Sequence, residues 1–256
     1  MRFRPCIDIH NGKVKQIVGG SLRDKGDAAY ENFVSVKDAA YYASFYKEMG
    51  LDGGHVIMLN SLDSEYYART KEQALMALRS YPGGLMAGGG ITLENAGEYL
   101  EAGASHVIVT SYVFKNGRID TDALKKMSAA VGREHLCVDL SCRRRDGGHF
   151  IVTDRWQKFT DEKLEPGILR FFADYASEFL IHAVDAEGKQ QGIDEDILPT
   201  LADSPVPVTY AGGVGSLEDI RLLKSAGKGR IDVTVGSALK MFGGSLDLEE
   251  ILGCIS

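Results

Sequence analysis

The sequence predicts an α/β chain folded as a (β/α)8 TIM barrel made of two half-barrel repeats. Three observations predict it. Eight short apolar runs alternate with longer amphipathic stretches along 256 residues, a length usual for one such barrel. Each run is short, β-branched or apolar, and bounded by turn signals, as a strand covered on both faces reads. Short motifs of the first half recur in the same order in the second. An open, doubly wound sheet is the alternative architecture.

The expected strands are 3–9, 55–59, 84–87, 106–110, 136–140, 179–184, 206–210 and 231–235. Between them, 36–49 reads as a helix with Ala39, Ala40, Ala43 and Tyr46 on one face. Helices over 93–101 and 217–225 follow Thr92 and Ser216 as N-caps. Gly50, Gly103 and Gly227 stand where a left-handed C-cap is expected. Two connections are long, 18–35 and 141–165. Long βα-loops lie on the catalytic face of a barrel and are candidate lids. No linker or composition shift divides the chain, so 1–256 is expected to form one barrel domain.

Composition narrows the function classes. Hydrophobic residues make up 44% and charged residues 25%, as in a soluble globular protein and unlike a disordered one. With 29 Lys and Arg against 36 Asp and Glu, the net charge of -7 leaves no basic footprint for nucleic acid. Cys6, Cys137, Cys142 and Cys254 form no C-x-x-C pair, so neither a zinc nor a thioredoxin-like motif is expected. Two of them lie in apolar runs, as buried thiols do, and a cytoplasmic, reducing location is expected. No 18-residue apolar stretch or signal-peptide layout occurs, so no membrane partner is expected. A monomer is expected, because no exposed apolar helix face stands out.

The repeat selects the chemistry. Cys6-Ile7-Asp8-Ile9 recurs as Cys137-Val138-Asp139-Leu140. Ala87-Gly88-Gly89-Gly90-Ile91 recurs as Tyr210-Ala211-Gly212-Gly213-Val214, and Thr110-Ser111-Tyr112-Val113 as Gly236-Ser237-Ala238-Leu239. These fall on strands 1 and 5, 3 and 7, and 4 and 8. Asp8 and Asp139 sit in apolar runs near strand ends. An unpaired buried charge is costly, so such a residue is either hydrogen-bonded or opens into the barrel mouth. Two aspartates on opposed strands suit paired general acid and base work. Glycine turns let the backbone approach an anion closely, and the loops after strands 7 and 8 of barrels often hold a phosphate. Gly212 and Gly213 with Gly236 and Ser237 form one such pair of loops. Gly89 and Gly90 with Thr110 and Ser111 form a second. A small molecule phosphorylated at both ends would span them, with the aspartates near its middle.

These residues, together with the opening Arg4-Pro5-Cys6-Ile7-Asp8-Ile9-His10-Asn11-Gly12-Lys13-Val14 and the strand end Val235-Gly236-Ser237-Ala238, resemble the histidine-biosynthesis barrels. The likeness runs from strand 1 to strand 8. Within that group the chain is similar to the family of phosphoribosylformimino-aminoimidazole-carboxamide ribonucleotide isomerases in its eukaryotic-type form. The resemblance implies an Amadori rearrangement of an aminoaldose to an aminoketose, on a bisphosphorylated ribonucleotide, without metal or organic cofactor. It implies Asp139 as the acid that protonates the ribose ring oxygen and opens the ring to a Schiff base. It implies Asp8 as the base that removes the C2 proton, although near-symmetry of the repeat allows the exchange. Trp156, the only tryptophan, would cover the imidazole carboxamide from loop 5. Gly19-Gly20-Ser21 resembles the family's ligand-closing segment.

Two positions depart from the bacterial pattern. After His55, Met58 stands where strand 2 usually has Asp. Strand 6 usually offers a Thr near its end, and here His182 or Asp185 takes the supporting role, with His182 favoured as a donor to a sugar hydroxyl. Arg143-Arg144-Arg145 reads as a solvated loop from which one arginine could reach a phosphate. The competing enzyme is the sister imidazole glycerol phosphate cyclase, which carries a Lys eight residues after its first Asp. That position here is Gln16. Phosphoribosylanthranilate isomerase activity, through Cys6, and a non-catalytic bisphosphate-binding barrel are the remaining alternatives.

Overall fold

The computed structural model describes residues 1–18, 20–23 and 26–255. Eight parallel strands run in sequence order: β1 (Cys6–His10), β2 (Gly54–Met58), β3 (Leu85–Gly88), β4 (Val107–Val109), β5 (Leu136–Asp139), β6 (Glu178–His182), β7 (Val208–Ala211) and β8 (Ile231–Val233). The ends meet just ahead of β1. Arg4 N donates to Val233 O at 2.8 Å and Val233 N to Arg2 O at 3.0 Å, which closes the (β/α)8 barrel.

Helices α1 (Ala39–Glu48), α2 (Tyr67–Ser80), α3 (Ala96–Glu101), α4 (Thr121–Val131), α5 (Pro166–Ala173), α6 (Leu198–Ala202), α7 (Leu217–Ala226) and α8 (Leu248–Ile255) alternate with the strands. The largest buried cluster holds outward strand residues such as Ile7, Ile9, Val56, Val138 and Phe179, together with helix residues such as Tyr46, Leu78 and Leu223.

The period-two alternation of a strand explains the polar residues inside apolar runs. Arg4, Cys6 and Asp8 share one face of β1 and its extension. Glu178, Leu180 and His182 share one face of β6. Three interior layers result, as in other barrels. At the bottom, buried Arg4 pairs with Asp232 at 2.8 Å and Glu178 at 3.3 Å. The middle layer is Met86, Ile108, Cys137 and Leu180, with Ile57 against it. Asp8, Asp139 and His182 stand in the top layer, at the mouth.

Several expected boundaries move. The helix expected from 36 begins at Ala39, capped by Asp38, whose carboxylate accepts from Tyr41 N at 2.9 Å; Val36 is 98% exposed. Residues 93–95 form a turn, and α3 starts only at Ala96, because Asn95 turns its side chain back to accept from Thr92 N. Ser216 caps α7 with a reciprocal bond from Asp219, as expected. Gly50 and Gly103 have positive φ (67° and 110°). Gly227 does not (φ -77°). The helix runs on by a residue, Lys228 takes the left-handed conformation (φ 52°), and Gly229 N closes on Lys224 O at 2.8 Å. Gly227 is instead required because a Cβ would press on Ile231 and on Leu223 O, 2.7 Å away.

The second long connection is strand in large part, and the first ends in one. Residues Lys13–Ile17 and Glu31–Val34 extend the sheet beyond β1 as an antiparallel hairpin. Residues Cys142–Arg145, Gly148–Thr153 and Lys158–Lys163 form a three-stranded antiparallel sheet. The Arg143-Arg144-Arg145 segment is therefore a strand, not a solvated loop. Arg143 bonds Asp185 at 2.9 Å, Arg144 bonds Asp194 and Asp196 at 2.6 and 2.8 Å, and Arg145 stacks over Phe150 and Phe159.

Candidate active site

The C-terminal strand ends carry one open cavity of about 890 Å³. Asp8, Gly89, Gly90, Thr110, Ser111, Asp139, Trp156 and His182 all line it. A second, pinched cavity of about 20 Å³ adjoins it, lined by His55, Gly212, Gly213, Gly236 and Ser237. Asp8, His182 and Glu187 line both. The structure thus brings the expected site residues to one mouth, with two exceptions in loop 1. Gly19 lies outside the described residues. Gly20 (φ 72°) lines neither cavity; of the described loop 1 residues, Gly26 and Asp27 do.

The glycine turns are equivalent in the two halves. Gly89 (φ 92°) and Gly90 (φ 71°) match Gly212 (φ 113°) and Gly213 (φ 77°). A Cβ on Gly89 would collide with Met58 O, and one on Gly212 would lie 2.7 Å from Ala183 O. In both places the turn crosses the end of the preceding strand at a distance only glycine allows. The two cradles differ in access. The first opens into the large cavity, where Ser111 Oγ accepts from Asp154 N at 2.8 Å. Over the second lies the loop after β6. Gln190 donates to Ser237 O at 2.8 Å, and Gly192 N to Gly213 O at 3.0 Å. The space left is enough for about one water and not for a phosphate.

The two aspartates have different surroundings. Asp8 lines the pinched cavity with Cys6, Gln16 and Glu187, and burial pushes its carboxyl up to about 7, opposed by a long 3.5 Å bond from Gln16 Nε2. Asp139 holds two donors on Oδ1: the backbone N–H of Ser141 at 2.8 Å and the Ser141 hydroxyl. Ser141 Oγ also lies 3.0 Å from His182 Nδ1. The His182 ring stands between Trp156 (centroids 5.1 Å) and His55 (6.0 Å). Burial holds both histidines below the usual range, His55 at about 3, so both rings are neutral at pH 7. Of the two strand 6 candidates, Asp185 turns away to Arg143 and the Arg144 amide, and His182 faces the mouth.

Trp156 is presented by an unusual turn. Asp154, Arg155 and Trp156 all have positive φ (50°, 53° and 66°). Such residues are strained, cluster at functional sites and persist only when their surroundings hold them.

The residues match known proteins over nearly the whole chain. Residues 2–246 match the family model described as "Histidine biosynthesis protein". The chain belongs to this family. It is 52% identical to the 1-(5-phosphoribosyl)-5-((5-phosphoribosylamino)methylideneamino) imidazole-4-carboxamide isomerase, chloroplastic, of Medicago truncatula, covering 98% of this chain and 81% of that one. It is 47% identical to the isomerase of the same name from Neurospora crassa (95% and 93% covered) and 40% identical to that of Saccharomyces cerevisiae (96% and 94%).

Within this family member, sequence reasoning missed three residues. Glu187 brings a third carboxylate to the mouth, and burial together with the charge of Asp8 pushes it up to about 8. Its place in a polar loop gave no pattern. Ser141, two residues after Asp139, is fully buried, and its spacing on the strand was the available signal. Asn60 anchors loop 1: its side chain accepts from Asn11 N and Thr70 Oγ1 and donates to Asp27 Oδ1 at 3.1 Å. Among the described residues, no group of three His, Cys, Asp or Glu side chains is placed to hold a metal ion.

Proposed function

We infer that the chain is an isomerase of histidine biosynthesis, converting an aminoaldose to an aminoketose by an Amadori rearrangement. Identity of 40–52% over nearly its whole length to relatives named for that isomerase carries this reading. The relatives' name describes an imidazole carboxamide bearing two phosphoribosyl groups. Two glycine cradles on opposite sides of the mouth, with carboxylates between them, support such a substrate for this chain.

In this reading Asp8 removes the C2 proton. With its carboxyl at about 7, it is a stronger base than an ordinary aspartate and still partly ionised at neutral pH. Asp139 is the acid at the ribose ring oxygen. Its Oδ1 is taken by Ser141, which leaves Oδ2 to carry and deliver the proton. Glu187, at about 8, is largely protonated at neutral pH and lines the same cavities, so it is a second candidate donor. Trp156 covers the carboxamide ring and His182 meets a polar group beside it.

The deciding experiment is a single-turnover reaction with the aminoaldose ribonucleotide in the absence of ammonia, followed by the absorbance change as ketose forms. Conversion supports the isomerase; tight binding without conversion overturns it. The alkaline limb of the pH–rate profile then separates the acids. Its loss in Glu187→Gln assigns the proton to Glu187, and its persistence there with loss in Asp139→Asn assigns it to Asp139. The chain is further proposed to act as a monomer, tested by sedimentation. Its four unpaired cysteines support the cytoplasmic reading, and fractionation distinguishes that from a plastid location like that named for the Medicago relative.

A further inference from the structure

We propose that Ser141 is a positioning residue that fixes the tautomer of His182, so that His182 Nε2 meets the substrate as a hydrogen-bond acceptor. The tautomer follows from a count of protons. Ser141 Oγ has one hydrogen and three neighbours: Asp139 Oδ1, the backbone N–H of His182 at 3.0 Å, and His182 Nδ1 at 3.0 Å. Asp139 Oδ1 already accepts the Ser141 backbone N–H at 2.8 Å. With two donors already on Oδ1, a carboxyl proton is placed on Oδ2, so the hydroxyl hydrogen points at Oδ1.

Oγ therefore accepts from both nitrogens of His182, and Nδ1 must carry a hydrogen. Burial keeps the ring neutral, which leaves Nε2 with its lone pair. Ser141 is fully buried, so bulk water does not compete for these bonds. The ring is held between Trp156 and His55 and lines both cavities beside Asp8. An unprotonated nitrogen there selects a group that donates: a ribose hydroxyl or an amide N–H of the middle of the substrate. A group offering only acceptor oxygens leaves two lone pairs opposed and is rejected.

The chemical class of the selected group rests on the isomerase reading; the tautomer does not. The first test therefore needs no substrate. Long-range proton–nitrogen correlation spectra of the 15N-histidine-labelled protein, assigned by loss of one ring in His182→Gln, are expected to show His182 with hydrogen on Nδ1. In Ser141→Ala the ring is expected to move toward the Nε2–H form, and in Ser141→Thr to keep the Nδ1–H form. Hydrogen on Nε2 in the unaltered protein overturns the proposal, as does an unchanged tautomer in Ser141→Ala. Kinetics provide the second readout. Ser141→Ala is expected to lower kcat/KM by about tenfold, the cost of an imperfectly paired buried group, with Ser141→Thr largely restored. Equal kcat/KM in all three proteins overturns the assignment of His182 Nε2 to the substrate.

Discussion

Asp8 and Asp139 have the same place in the repeat and opposite surroundings, and that difference is where chemistry can enter. Asp8→Asn and Asp139→Asn are each expected to lower turnover by about 10² to 10⁴-fold, the range for general acid–base groups, while isothermal calorimetry still detects substrate binding. Near-normal turnover in either one removes that residue from the mechanism. Gln16 gives a finer handle. Its amide favours the charged form of Asp8, so Gln16→Leu is expected to raise the Asp8 carboxyl. The acid limb of kcat/KM, which lies near 7 for an ionised base, then moves to higher pH. A limb that stays in place belongs to another group. The aspartates were legible in the sequence because a charge inside an apolar run must have a purpose. Glu187 was not, because a carboxylate in a polar loop is ordinary until the fold presses it against Asp8.

At the scale of elements, the loop after β6 and the sheet 142–163 determine access. Gln190 and Gly192 hold the loop across the second cradle, so in the proposed reading a phosphate enters as these bonds open. Gln190→Ala is expected to favour the open form and lower KM, read from initial rates, because less of the protein rests in a form that cannot bind. A raised KM would place Gln190 among the substrate contacts. Trp156→Ala is expected to raise KM by about tenfold or more, as the loss of one ring-stacking partner implies, and Trp156→Phe to recover most of it. Equal KM in all three would return Trp156 to a purely structural turn. All eight strands were readable from their apolar runs, to within a few residues. The antiparallel strands in loops 1 and 5 were passed over because length alone was weighed there. The Asp146-Gly147 pair (φ 49° and 75°), flanked by β-rich residues, was the available hairpin signal.

For the whole molecule, buried titratable groups set how stability responds to pH. Folding raises Asp8 and Glu178 to about 7 and Glu187 to about 8. For each, the stabilising contribution is complete below its unfolded value and is lost as pH rises through the folded one. His55, held at about 3, and His106, at about 4, act oppositely: their contribution is complete above about 6.5 and is lost as pH falls. Between about 4 and 6.5 the two sets offset each other. From about 6.5 to 8 only the carboxylates change, so the melting temperature of the ligand-free protein is expected to fall across that interval. Glu178→Gln, which keeps the shape at the barrel floor, should flatten the slope, and an unchanged slope would show that the floor takes no part. The two cradles have a consequence of another kind. With one phosphate in each cradle, as proposed, anchors fixed on opposite walls act as a ruler. A sugar phosphate with a single anchoring group can be caught at either end but is not held taut across Asp8. The penalty for a shortened substrate therefore appears in kcat as well as in KM, and the barrel discriminates by the span of its substrate before any atom of the imidazole is touched.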